Sequence, residues 1–159
     1  MQKINEMVSS LQSSAGEALQ RRLESNPAEY AQLLKNLLIQ GLIKLIEPRV
    51  ILRCRKSDVD ALESVIEEAV STYKKLMLSQ VKALQDKDDI PCAVSIDQKN
   101  FLPEYNADNP TNSCLGGFVI YAKKNRIVCS QTLDDRLSMT YQQAIPQMRA
   151  VLFPSLAKK

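Results

Sequence analysis

The run Leu38-Ile-Gln-Gly-Leu-Ile-Lys-Leu-Ile-Glu-Pro-Arg-Val-Ile-Leu-Arg-Cys-Arg-Lys56 changes its hydrophobic period at Glu47-Pro48. Before that point Tyr30, Leu33, Leu34, Leu37, Leu38, Gly41, Leu42, Leu45 and Ile46 recur at i, i+3, i+4, i+7, the stripe of a helix that packs on a core. Gly41 gives up about 1 kcal/mol of helix propensity relative to Ala, which points to a close backbone approach on the packed face. Pro48 ends the helix because it pushes Glu47 out of the α region. After it the period drops to two: Val50, Leu52 and Cys54 face one side, while Arg49, Ile51, Arg53 and Arg55 face the other. A covering helix that feeds directly into a half-buried strand predicts a sheet with helices packed against it.

Upstream, Ser25-Asn-Pro-Ala-Glu29 reads as a helix start. Asn26 can accept from the first turn, Pro27 sits where its missing N–H costs nothing, and Glu29 can reach back. Residues 1–24 read as an earlier helix with Ile4, Val8, Leu11, Ala15 and Ala18 at 4-3-4-3 spacing, the seam of a coiled coil. So thin a stripe suits a partner helix better than a globular core.

Downstream, Ser57 is placed to cap a long helix with Val59, Leu62, Ile66, Ala69, Tyr73 and Leu76 on its apolar face. That face continues through Leu84, and Asp86-Lys-Asp-Asp89 with Pro91 closes it. Cys92–Asp97 alternates as a second strand, and Glu104–Ser113 reads as a loop. Gly117–Ala122 and Arg126–Ser130 flank Lys123-Lys-Asn125 as a hairpin, with Asn125 suited to positive φ. Thr132 caps a last helix with Asp134 and Asp135 in its first turn, and Leu133, Leu137, Tyr141, Ala144, Met148 and Leu152 on one face. Pro146 should kink this helix rather than end it, since the stripe resumes in phase. The order predicts an α+β fold: a small mixed sheet of about four strands covered by helices. A helical arm at residues 1–25 precedes a globular domain at 26–159.

The 159 residues are 45% hydrophobic and 25% charged, which supports one buried core. The chain has no His, so the commonest general base and metal ligand are missing. Its four Gly, at 16, 41, 116 and 117, cannot build a phosphate-cradling loop. Adjacent acids such as Asp88-Asp89 and Asp134-Asp135 diverge rather than converge across a cleft. No catalytic, cofactor-binding or metal-binding residue is expected. Cys54, Cys92, Cys114 and Cys129 form no C-x-x-C and read as reduced core thiols. Cys54 lies between Arg53 and Arg55 in sequence but faces away from both, so it reads as buried rather than activated. No apolar run approaches the ~20 residues that span a bilayer, and the first residues are too polar for a signal peptide. The expectation is a soluble, cytoplasmic protein without direct membrane insertion.

Charge is uneven. Residues 115–159 carry seven basic groups against two acidic, and residues 61–114 carry five against nine. Lys123, Lys124 and Arg126 beside Phe118 and Tyr121 make a small RNA-binding module the alternative reading. No RNP1-like run or G-x-x-G loop occurs, however, and Phe118 and Tyr121 are three apart on a strand, hence on opposite faces.

Residues 38–56 resemble the E subunit of the eukaryotic vacuolar-type (V-type) proton-pumping ATPases: a Gln-Gly-Leu helix end, then Glu-Pro, then a strand closing on Arg-Cys-Arg. Gly116-Gly117, Thr132-Leu-Asp-Asp-Arg-Leu137 and Pro146 through Leu152-Phe153 agree in order, and the likeness covers roughly residues 5–155. It implies the C-terminal portion of that protein with a truncated N-terminal helix. Residues 76–91 and 104–113 look longer than the family pattern. The resemblance further implies a non-catalytic peripheral-stalk component on the cytosolic face of vacuolar or other acidic-compartment membranes. The G subunit of such an ATPase would pair with the N-terminal helix through Ile4, Val8, Leu11, Ala15 and Ala18. Nucleotide-binding head subunits would meet the C-terminal domain, with Arg49, Arg53 and Arg55 as anchoring candidates. Alone, the chain could self-associate through the same seam.

Overall fold

The computed structural model describes residues 2–81, 90–109 and 112–152, without the side chains of residues 2–5 and 8. Leu84 and the run 86–89 lie outside the described residues, as do the side chains of Ile4 and Val8. The described elements are α1 (Gln2–Ser25), α2 (Pro27–Leu45), β1 (Arg49–Cys54), a 3-10 turn (Lys56–Asp58), α3 (Val59–Gln80), β2 (Ala93–Ile96), β3 (Gly117–Ala122), β4 (Ile127–Thr132) and α4 (Leu133–Leu152). They form the α+β architecture read from the sequence.

The sheet order is β2-β1-β3-β4. β1 pairs parallel with β2 and antiparallel with β3, and β3 pairs antiparallel with β4. The parallel pair needs a long crossover, and α3 supplies it. α2 and α3 pack on one face of the sheet. Leu34, Leu38 and Leu42 of α2 meet Val50, Leu52, Cys54, Phe118 and Ile120, all at or below 1% exposure. The glycine at position 41 has its reason here: a Cβ would collide with Ile120 Cδ1.

Local chemistry departs from the sequence reading at several points. Ile46 leaves the α2 stripe and becomes its C-cap at φ 52, donating its N–H to Leu42 O at 2.9 Å while its side chain is exposed. Asn26 caps α2 through its backbone alone, because its side-chain amide turns back toward Arg22 O. Glu29 pairs with Arg22 at 2.6 Å instead of closing a capping box. Ser57 sits inside the 3-10 turn and donates both N–H and Oγ–H to Glu104, so it does not cap α3. α3 buries Leu62, Val65, Ala69, Tyr73 and Met77, and Leu76 is exposed. Thr132 does cap α4, accepting from Asp135 N at 3.4 Å, and the helix continues through Pro146. The hairpin turn uses positive φ at Lys123, Lys124 and Asn125, not at Asn125 alone.

Candidate functional site

α1 has two faces with different fates. Gly16 and Gln20 are buried, and Leu19 and Leu23 pack against the core. The Gly16 Cα lies close enough to α4 and the preceding loop that a Cβ would touch Leu137 and Leu115 at 3.7 and 3.8 Å. About a third of a turn round the helix, Leu11, Ala15 and Ala18 are exposed, with Met7 beside them. The sequence-read seam is therefore not the face that holds α1 to its own domain. What packs is the Gly16-Leu19-Gln20-Leu23 face, which the 4-3-4-3 count did not single out.

The three arginines of the β1 segment separate. Arg49 is exposed at the start of the strand. Arg53 lies on the sheet face away from the helices, donating Nε–H to Asp97 Oδ2 at 2.9 Å with its guanidinium 4.2 Å over the Tyr121 ring. Asp97 is itself held by the N–H of Lys99, the side-chain amide of Asn100 and the N–H of Asn100. These donors, led by the Lys99 N–H, keep its carboxyl far below the usual carboxylate range.

Arg55 is a correction. Alternation put it beside Arg53 on the outer face, but the strand ends at Cys54 and the chain turns the guanidinium inward. There it grips Asp58 with two bonds, Nε to Oδ2 at 2.7 Å and Nη2 to Oδ1 at 3.0 Å. Tyr30 donates to Asp58 Oδ2 at 3.0 Å and accepts the Gly117 N–H at 3.0 Å. Burial, then the Asp58 charge, pushes the Tyr30 hydroxyl well above its usual range. Burial alone would lower the Arg55 guanidinium, but the Asp58 pair outweighs it and raises it. Gly116 sits at φ +143, and a Cβ there would lie 2.6 Å from Tyr30 Oη. The knot ties α2, β1, the 3-10 turn and β3 together. Arg55 is an internal fastener and not an exposed anchor. The signal for it was Asp58, three residues after Arg55 in a tight turn.

Cys54 is 1% exposed, and burial pushes its thiol up to about 11. Burial likewise pushes Cys114 up to about 12. All four cysteines are free thiols. The basic hairpin offers no two-ring stacking platform. Phe118 is fully buried, Tyr121 lies under Arg53, and Lys123 pairs with Glu47 at 2.9 Å. Among the described residues no group of three or more His, Cys, Asp or Glu is placed to hold a metal ion. Among them also, no helix is long and apolar enough to cross a membrane.

Residues 2–153 match the family described as ATP synthase (E/31 kDa) subunit. The chain is 35% identical over 156 residues to the V-type proton ATPase E2 subunit of Arabidopsis thaliana, covering 96% of this chain and 62% of that protein. It is 35% identical over 162 residues to the V-type proton ATPase E subunit of Citrus limon, covering 99% and 64%. It is 35% identical over 145 residues to the V-type proton ATPase E 1 subunit of Homo sapiens, covering 90% and 56%. The chain thus spans less than two thirds of the length of these relatives. With the helix-to-strand run 38–56 and the Gly116-Gly117 turn both inside the matched residues, the chain belongs to the ATP synthase (E/31 kDa) subunit family.

Proposed function

We propose that the chain is a non-catalytic peripheral-stalk subunit of a rotary V-type proton-transporting ATPase. It ties the ATP-hydrolysing head to the membrane sector and resists the torque of rotation. Beyond family membership, one observation carries this reading: α1 is fastened along one face while Leu11, Ala15 and Ala18 stay exposed along another. A helix held this way projects its free seam to a second helix without detaching from the domain. Ile4 and Val8 extend that seam at the same spacing. The partner helix belongs to the G subunit, and residues 1–25 form the end of the stalk pair. Residues 26–159 form a compact cap whose sheet is braced by buried ion pairing, suited to anchoring on the nucleotide-binding head subunits. The working location is the cytosolic face of vacuolar or other acidic-compartment membranes. No cofactor is required.

The test is to mix the chain with the G subunit and follow complex formation by sedimentation. The wild-type chain should form a complex, and Leu11→Asp with Ala15→Asp should abolish it while leaving the circular dichroism of the domain unchanged. Absence of any complex with the wild-type chain sinks the reading. Titration with Mg-ATP should give no heat of binding, and a micromolar site would overturn the non-catalytic assignment.

A further inference from the structure

A cavity of about 430 Å³ lies where the end of α1 meets the start of α2, the 3-10 turn and the loop at residues 104–105. That is within the size range of small-molecule sites. The buried knot of Tyr30, Arg55 and Asp58 forms its inner wall, where the guanidinium already answers the Asp58 carboxylate. Exposed Glu24 of α1 and Glu104 of the loop line the same cavity. Neither has an ion-pair partner among the described residues. Three carboxylates against one guanidinium leave two negative charges unanswered around a cavity to which Leu23, Pro27 and Tyr105 add apolar surface.

A second, independent feature lies in the same wall. Gln20 lines the cavity and is 9% exposed, and its Nε2 donates to Glu24 Oε1 at 2.8 Å. Its Oε1 is buried and has no hydrogen-bond partner. Turning the amide over does not help, because it would set oxygen against the Glu24 carboxylate and orphan the nitrogen instead. A buried acceptor without a donor costs stability, so a position that keeps one needs a reason. The wall as a whole is rich in acceptors and asks for a donor that carries positive charge.

The bonds already made decide which cation fits. Both Glu104 oxygens take a bond from Ser57, one from its N–H at 3.1 Å and one from its Oγ–H at 2.8 Å. One Glu24 oxygen takes the Gln20 amide. No uncommitted carboxylate therefore offers two free oxygens to the planar fork of a guanidinium. A primary ammonium needs no such pair, since it is a compact charge with three separate donors. Among the described residues no three carboxylates are placed to hold a metal ion. The apolar surface suits a cation that carries an aliphatic stem.

We propose that this cavity is a binding site for a primary alkylammonium group, with Glu24, Glu104 and the Gln20 carbonyl as its acceptors and Leu23, Pro27 and Tyr105 against its stem. The group comes from a free aliphatic amine or from a lysine side chain of a partner. Either would tie α1 to the 3-10 turn and the loop, because Glu24 and Gln20 stand on the helix and Glu104 on the loop. The site stands on this chain alone, whatever helix pairs with the seam of α1.

The experiment titrates the isolated chain, followed by amide NMR, with 1,4-diaminobutane, with N-acetyl-lysine methylamide and with N-acetyl-norleucine methylamide, which keeps the stem without the charge. At least one of the two amines should bind saturably, with a dissociation constant below about 1 mM, and the norleucine compound at least about tenfold more weakly. Shifts should centre on residues 20–24, 55–58 and 104–105, and hydrogen exchange of residues 16–25 should slow when amine is bound. Tighter binding of the diamine assigns a free amine, and tighter binding of the lysine compound assigns a partner's side chain. Glu24→Gln at its exposed position keeps the fold and should weaken binding at least about threefold, and Glu24→Gln with Glu104→Gln at least about tenfold. Gln20→Met, of similar size, removes the carbonyl and should also weaken binding while the urea midpoint holds or rises. Absence of saturable binding by both amines overturns the proposal. So does binding that the glutamine pair leaves intact, or shifts spread evenly over the acidic surface.

Discussion

α1 and α2 are consecutive helices with a single residue, Asn26, between them, yet they are held by different means. α2 buries Tyr30, Leu34, Leu37, Leu38, Gly41 and Leu42. α1 buries Gly16 and Gln20 among its described side chains, with Leu19 and Leu23 half-buried. Each fully buried large aliphatic stabilises by roughly 1.5–3 kcal/mol, while ordering a residue costs about 1–2 kcal/mol of backbone entropy. α2 meets that cost from its own core contacts, and α1 meets it only over its last two or three turns. Helical sequence alone does not tell these cases apart. The difference lies in what each stripe finds opposite it.

The strongest way to break the contrast is to attack α2 where it is fastened. Asp58→Ala leaves the Arg55 guanidinium buried without its partner, which should cost about 3–5 kcal/mol of stability. Leu38→Ala, at a position with no exposure, should cost about 2–5 kcal/mol. Both are read from urea unfolding midpoints. A loss below about 1 kcal/mol for either would mean that α2 is not the fixed point of the fold. Tyr30→Phe is milder. It removes a donor to Asp58 and strands the buried Gly117 N–H, for about 1–3 kcal/mol.

Much of this was legible in the sequence. The α2 stripe and the period change at Pro48 placed the helix-to-strand turn within a residue, and the hairpin emerged from Lys123-Lys-Asn125. Three things were not legible, each for a physical reason. Arg55 obeyed alternation until its strand ended, and only the three-dimensional turn sends it to Asp58. The caps at Asn26 and Ser57 depend on rival partners, Arg22 and Glu104, that sequence proximity does not rank. The strand order that leaves Ile51, Tyr121 and Val128 in one row follows from pairing across more than sixty positions, which no local pattern encodes.

Thiol chemistry sharpens the same contrast. Cys54 lies in the core beneath the α2 cover, so fraying of α1 should not expose it. Native labelling with a thiol reagent should modify half-buried Cys92 first and leave Cys54 and Cys114 unmodified until global unfolding. Rapid Cys54 labelling would show that the α2 cover opens locally. The pH dependence has a definite sign. The Cys54 thiol stays protonated in the fold to about 11, while an unfolded thiol ionises near about 8.5. Its contribution is complete below the lower value and is lost as pH rises toward the upper one. Asp97 acts oppositely: its depressed carboxyl contributes above the ordinary Asp range, near about pH 4, and loses that contribution as pH falls further.

The smallest stability effect should come from α1, and it is the most diagnostic. Leu11 is 46% exposed, on the face that α1 turns away from its domain. Leu11→Ala removes no buried contact among the described residues, so the stability of the isolated chain should move by less than about 0.5 kcal/mol. Affinity for the G subunit should nonetheless fall, because the same side chain is the last large aliphatic of the seam before Ala15 and Ala18. Hydrogen exchange on the isolated chain at low concentration should divide α1 internally. Amides before about Gln12 should exchange fast, those near Gly16–Leu23 more slowly, and those of residues 30–45 slowest. Adding the G subunit should slow the first group most. Protection of residues 2–12 equal to that of α2 in the isolated monomer would mean that the seam already has a partner within its own chain. Leu11→Ala would then cost about 2 kcal/mol or more, as at a core position.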